Sequence, residues 1–144
     1  MLKSLSVWNF ALLAQVEVEF GSGLNILTGE TGAGKSILID ALSAILGHRV
    51  SADSIRSGCD WLRVEAVFSL DDGQQELLPL LAEQEVECSD GELIIMRKVS
   101  SNGKSSILMN NSHVTLSFLR KIARNNSIKP CFALSLRHFY LSTK

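Results

Sequence analysis

Apolar and polar residues alternate near the start of the chain, where Leu5, Val7, Val16, Val18 and Phe20 are set against Ser6, Gln15, Glu17 and Glu19. Successive side chains of a strand point to opposite faces, so this period of two predicts a pair of half-buried antiparallel strands joined near residues 9–13. A turn at Gly21, Ser22 and Gly23 leads to an apolar run over residues 24–28, read as a buried strand. The period then changes. Ile37, Leu38, Ala41, Leu42, Ile45 and Leu46 recur at helical spacing, and Gly47 is placed to stop that helix. Residues 47–58 lose any period and read as a loop with helical turns.

Alternation resumes over residues 63–70 and ends at Asp71, Asp72 and Gly73, a turn signal. Residues 74–84 read as a short helix in which Pro79 sets a late start or a kink. Residues 92–100 and 104–109 form a hairpin pattern around Asn102 and Gly103, a pair that supplies the positive φ angles of a tight turn. Asn110 and Asn111 mark another turn, and Thr115 is placed to cap a last helix through Leu116, Leu119, Ile122 and Ala123. Residues 125–144, interrupted by Pro130, keep neither period and are left unassigned; no internal repeat is present.

Between the apolar run and the first helix stand Gly29, Glu30, Thr31, Gly32, Ala33, Gly34, Lys35 and Ser36, which fit G-x-x-x-x-G-K-[ST]. Glycines without a Cβ let the backbone approach a ligand and turn its N–H groups around phosphate oxygens. Lys35 adds a point charge, Ser36 offers a hydroxyl to Mg²⁺, and the helix start adds the positive end of its dipole. A strand before the loop and an amphipathic helix after it are the context that separates a phosphate-binding loop from a chance glycine turn. ATP with Mg²⁺ is the expected ligand, with Ser36 as the metal contact.

Composition changes this picture little and charge changes it more. The 144 residues are 46% hydrophobic, with a mean hydropathy of +0.19, enough for the core of one domain. The net charge of −1 conceals an asymmetry: all 15 acids lie at or before Glu92, and nine Lys or Arg with no acid follow. A basic half points to an acidic or nucleic-acid partner, or to a surface that pairs with something outside the chain. Cys59, Cys88 and Cys131 are too scattered for a zinc site or a disulfide framework. His48, His113 and His138 read as ordinary histidines. Polar residues interrupt the apolar N-terminus before it could act as a secretory leader, and no run is long enough to span a membrane, so a cytoplasmic setting is expected.

Turnover of a bound nucleotide needs more than the loop: a second carboxylate near Mg²⁺, a group that orients water and a positive charge beyond the last phosphate. Asp71 and Asp72 follow a strand, yet the turn accounts for both, and Glu65 and Ser69 make that strand half-exposed. Glu30 sits at a free position of the motif. Arg56, in the loop after the helix, is close enough in sequence to fold back toward the phosphates; a solvated arginine is the plain alternative.

A longer resemblance enters here. The strand Leu5, Ser6, Val7, Trp8, Asn9 and Phe10, the turn from Phe20 to Asn25, the loop from Thr28 to Ile37, then Ile39, Asp40, Ala41 and Leu42, then Leu46, Gly47, His48 and Arg49, then Ile55, Arg56, Ser57 and Gly58, and finally Met96, Arg97, Lys98, Val99 and Ser100 together resemble the N-terminal end of the RecN family. These are bacterial DNA repair proteins of the structural-maintenance-of-chromosomes (SMC) branch of ABC ATPases. The resemblance covers roughly residues 1–124. It implies an α/β P-loop fold with an antiparallel strand-rich flank, forming the N-terminal lobe of an ATPase head that is split by a coiled coil. The C-terminal lobe would bring the signature motif and the Walker B acids, and two heads would sandwich ATP in a cycle coupled to DNA. It also implies that Arg56 takes the arginine-loop position. Departures accompany it: Asn111 stands where the family turn has Gly, and residues 125–144 lack the Gly-Gln segment that would reach Mg²⁺. With no signature motif, Walker B strand or heptad, the chain reads as a truncated head with an aberrant tail. The competing readings are a self-contained P-loop kinase or GTPase, and an inactive remnant.

Overall fold

A computed structural model describes residues 1–21, 33–70, 76–88 and 90–124. The expected strand over residues 24–28, Gly29, Glu30, Thr31, Gly32, the turn at Asp71, and residues 125–144 lie outside the described residues. The described elements are β1 (Leu2–Phe10), β2 (Leu13–Glu19), α1 (Ala33–Ile45), β3 (Trp61–Ser69), α2 (Leu77–Ala82), β4 (Glu92–Ser100), β5 (Ser105–Met109), β6 (Ser112–His113) and α3 (Leu116–Arg124). The strands form one antiparallel sheet in the order β2-β1-β3-β4-β5-β6, the strand-rich flank that the sequence pattern predicts.

Alternation decides which face is dry. Leu5 and Val7 of β1, Leu62, Val64, Ala66 and Phe68 of β3, Leu93, Ile95 and Val99 of β4, and Ile107 and Met109 of β5 are all buried on one side. Leu2 joins them despite its odd spacing because the β1–β3 register shifts between Leu2 and Ser4, a bulge that turns the strand's first residue inward. Against this face lie Ile37, Leu38, Ala41, Leu42, Ala44 and Ile45 of α1, Leu77 and Leu81 of α2, and Phe118, Leu119 and Ile122 of α3, in a single core. Each fully buried aliphatic or aromatic side chain contributes about 1.5–3 kcal/mol. The opposite face is polar and half-exposed. There the Arg63 guanidinium lies 3.8 Å from the centroid of the Trp8 ring, and Lys98 lies 5.1 Å from that of Trp61. Among the described residues no helix is long and apolar enough to cross a membrane.

The β4–β5 hairpin has the expected three-residue loop over residues 101–103, closed by the Ser100 N–H donating to the Lys104 carbonyl at 2.9 Å. Turn chemistry departs from expectation in one respect: of Asn102 and Gly103 only Gly103 takes a positive φ, +80°. Such a loop needs one left-handed residue, and Asn102 instead accepts the Lys104 N–H through its side chain at 3.1 Å. The true two-residue turn is Asn110-Asn111, with φ of 42° and 70°, so asparagine serves where the related turn has glycine. Thr115 caps α3 as expected, its Oγ1 accepting the Phe118 N–H at 3.2 Å. Pro79 sits in the first turn of α2, where its missing N–H costs no helical bond.

One cation is built into the core face. Arg97 occupies an inward position of β4 and is 3% exposed; its guanidinium donates to the carbonyls of Ala44 at 2.8 Å and His48 at 2.6 Å, and its Nε donates to Ser105 Oγ at 3.3 Å. Burial first, and the Arg120 charge second, lower its pKa from the ordinary guanidinium value. Arg97→Met should cost about 2–4 kcal/mol, because it takes the guanidinium donor from the His48 carbonyl and leaves the Ala44 carbonyl with the Gly47 N–H alone. Urea unfolding should then show a lower midpoint with an unchanged slope.

Candidate nucleotide-binding site

The described part of the phosphate loop is its helical half. Ala33 and Gly34 begin α1, and Lys35 and Ser36 follow within its first turn, which carries no acidic residue. No acid in that turn therefore competes with an anion for the positive dipole end. Gly34 and Ser36 are exposed and Lys35 is half-buried. A Cβ built on Gly34 meets no described atom within 4 Å, so the described neighbours leave its backbone open on that side. A cationic amine, a hydroxyl and main-chain donors at one helix start make the donor set that fits a nucleotide's phosphates and their Mg²⁺.

The helix is held firmly at its other end. Gly47 has φ +84°, its N–H donates to the Ala44 carbonyl and the His48 N–H to the Ser43 carbonyl, both at 3.1 Å, which is a Schellman stop. The Arg120 Nε donates to the Gly47 carbonyl at 2.8 Å. A Cβ on Gly47 would lie 2.7 Å from Arg120 Cγ, so α3 can approach only a glycine here. With Arg97 beneath, α1 is seated on β1, β3 and β4, and Lys35 and Ser36 take their positions from that seat.

Arg56 is positioned by main chain. A single 3-10 turn, Ala52–Ser54, capped by the Ser51 side chain, delivers Ile55 to a bridge with Phe10. The Ala11 N–H donates to the Ser54 carbonyl at 2.7 Å, and the Arg56 N–H to the Asn9 carbonyl at 2.9 Å. The loop expected over residues 47–58 is thus tied to the β1–β2 turn. The half-buried Arg56 side chain makes no hydrogen bond or ion pair with another described residue, and none joins it to Lys35 or Ser36. Glu65 and Ser69 are half-exposed, in keeping with a strand wet on one face. Among the described residues no group of His, Cys, Asp or Glu is arranged to hold a metal ion, and Cys59 and Cys88 are free thiols. What the sequence pattern missed is Arg97, although an arginine in register with Leu93, Ile95 and Val99 is itself a signal of an internal partner.

A family model described as the AAA domain matches residues 4–130. The chain belongs to the AAA domain family. This AAA domain is 43% identical over 124 residues to the DNA repair protein RecN of Bacillus subtilis, covering 86% of this chain and 21% of that protein. To the DNA repair protein RecN of Halalkalibacterium halodurans it is 41% identical over 128 residues, covering 87% of this chain and 22% of that one. It therefore spans about a fifth of the length of these curated relatives. Its fold matches, at a TM-score of 0.68 and 21% identity, a solved structure described as "Structural biochemistry of ATP-driven dimerization and DNA stimulated activation of SMC ATPases", over 91% of this chain and 90% of that one. The AAA domain thus has the fold of an SMC-type head lobe.

Because main chain holds the Arg56 segment, Arg56→Ala should change stability by no more than about 0.5 kcal/mol. Thermal unfolding of the two proteins side by side checks this.

Proposed function

We propose that this chain is the ATP-binding N-terminal lobe, over residues 1–124, of a RecN-like head acting in recombinational repair of DNA double-strand breaks. The observation that carries the reading is the start of α1: Lys35 and Ser36 stand in an acid-free first turn that completes the motif begun at Gly29. Gly29, Gly32 and Gly34 keep the backbone bare, and the main chain of Glu30, Thr31 and Ala33 adds donors to the cradle. Lys35 neutralises phosphate charge, and Ser36 holds the metal. Arg56, whose side chain has no described partner, is assigned to the phosphates from the neighbouring loop. When bound, the nucleotide supplies the phosphoanhydride bond whose cleavage would drive a cycle.

These residues bind and orient; they do not complete a hydrolytic site. The 144 residues carry no Walker B strand, signature motif or glutamine-bearing loop, so turnover is assigned to a complete head in which a C-terminal lobe and a second head close over the nucleotide. The names of the RecN relatives support the repair assignment and a cytoplasmic setting, with DNA as the partner of the whole protein. No role is assigned to residues 125–144.

The folded chain should take up Mg·ATP in equilibrium dialysis and melt at a higher temperature with it, because ligand binding to the native state alone raises stability. Lys35→Ala should weaken uptake at least about tenfold, near 1.4 kcal/mol, in a sample that keeps a cooperative melting transition. Phosphate release should stay at background. No uptake by a folded sample overturns the reading.

A further inference from the structure

The cations of the acid-free second half are not spread evenly. On α3, Arg120, Lys121 and Arg124 are exposed, and the Arg120 bond to Gly47 brings them against His48 and Arg49, which are exposed at the end of α1. Leu46, Gly47, His48, Arg49, Arg120, Ala123 and Arg124 line one concavity of about 410 Å³, with Leu46 half-buried and Ala123 buried at its floor, and Ser117, Arg120, Lys121 and Arg124 line an adjoining groove. No carboxylate pairs with any of these cations among the described residues; the ion pair there is Lys3 with Glu92. The negative end of the α1 dipole does not offset the cluster, because Arg97 and Arg120 already occupy its carbonyls.

We infer that this face, formed by the end of α1 and by α3, is a docking surface for the phosphodiester backbone of a nucleic acid. An acidic protein segment is the other polyanion to weigh, and the surface argues against it. Protein interfaces are built on an apolar and aromatic centre. Here the exposed large hydrophobic residues of the described chain, Leu12, Leu78 and Ile94, all lie outside the patch. Charge without an exposed large apolar anchor is how a phosphate backbone is held, independently of base sequence.

The surface is separate from the nucleotide site. α1 has 13 residues and is about 20 Å long, with Lys35 and Ser36 at one end and the basic face at the other. One helix thus presents anion-binding groups at both ends: through its own dipole at the start, and through arginines that cover its carbonyls at the finish. This inference rests on the assignment of the chain to a DNA-acting protein, and it names where that partner lies.

The test titrates the 144-residue chain into a fluorescein-labelled single-stranded oligonucleotide, the same sequence as a duplex, and a labelled polyglutamate of equal charge. Binding of the oligonucleotide should weaken linearly in log-log form with salt. Lys121→Gln with Arg124→Gln should lower affinity about tenfold at low salt and flatten the salt slope by roughly 0.7 per lost contact on a single strand, or 0.9 on the duplex. Lys104→Gln, in the β4–β5 loop, should change neither. Arg49→Gln, on a loop, should also weaken binding and serves if the helix variant loses its melting transition. Unchanged affinity and slope in a folded Lys121→Gln/Arg124→Gln variant, or in Arg49→Gln, overturns the inference. So does polyglutamate binding as tightly as the oligonucleotide, or a wild-type chain that binds neither nucleic acid. Lys35→Ala should leave oligonucleotide binding intact. Mg·ATP uptake without nucleic-acid binding therefore defeats this inference alone, and the reverse result defeats the nucleotide assignment alone.

Discussion

A guanidinium in a hydrophobic face has to find oxygen, and in this lobe the oxygen is the end of a helix. Arg97 stands in the inward row of β4 with Leu93, Ile95 and Val99, where a solvated alternative is closed by the neighbouring strands. Among the described residues it has no carboxylate partner; its bonds go to Ala44, His48 and Ser105. The last carbonyls of α1 carry the negative end of the helix dipole and lack intrahelical donors. Each side thus relieves the other's burial cost. This contact is also directional: dispersion would let α1 slide along the sheet, whereas two hydrogen bonds from one planar group fix where the helix ends. A helix of fixed end and fixed length has a fixed start, and the start is where Lys35 and Ser36 sit.

Seen this way, the Schellman turn, Gly47 and Arg120 serve the same constraint from the other side. The positive φ of Gly47 reverses the chain at once, and the absence of a Cβ lets α3 come close enough for Arg120 to take the Gly47 carbonyl. Three carbonyls at the end of α1, those of Ala44, Gly47 and His48, are thereby covered by two arginines from different elements. α3 is held by its apolar face, Phe118, Leu119 and Ile122, so its charged face must point outward toward the same corner. The positive corner is therefore a by-product of how the helix is anchored, before any partner is considered.

Much of the architecture was legible because a half-buried strand writes its inward and outward residues in alternation. β1, β2, β3 and the β4–β5 hairpin follow from that period, and α1 and α3 from the helical one. The length of the β4–β5 loop, residues 101–103, was legible, but not that Gly103 alone takes the left-handed angle, since composition shows which residues can adopt it and not which one the turn uses. Ser100 and Lys104 decide that, through cross-strand pairing that no local pattern contains. The glycine loop was legible as chemistry, because G-x-x-x-x-G-K-[ST] specifies donors at fixed spacing; Lys35 and Ser36 fall where the motif puts them, while Gly29, Glu30, Thr31 and Gly32 lie outside the described residues. Arg56 was legible as a loop arginine and nothing finer, because its position depends on a bridge between Ile55 and Phe10, 45 residues apart. Arg97 could have been read from its register, as a cation where every second neighbour is apolar.

Charge partition gives the lobe a polarity that its net charge hides. In a chain with balanced totals, segregation has to be enforced by position, and here two devices enforce it. The acids end at Glu92, at the first residue of β4, so everything built from the rest of β4, from β5 and from α3 is cationic or neutral. The cations that the sheet must accommodate are then disposed of singly, Arg97 on helix carbonyls and Lys98 on the Trp61 ring. Of those left over among the described residues, Lys104 stands alone beside the β4–β5 loop, and Arg120, Lys121 and Arg124 are gathered by an amphipathic helix whose apolar side is already committed to the core. A helix so placed cannot turn its basic face inward without exposing Leu119 and Ile122, at about 1.5–3 kcal/mol each. The hydrophobic effect, acting on the other side of α3, is what keeps these charges facing solvent and available to a polyanion.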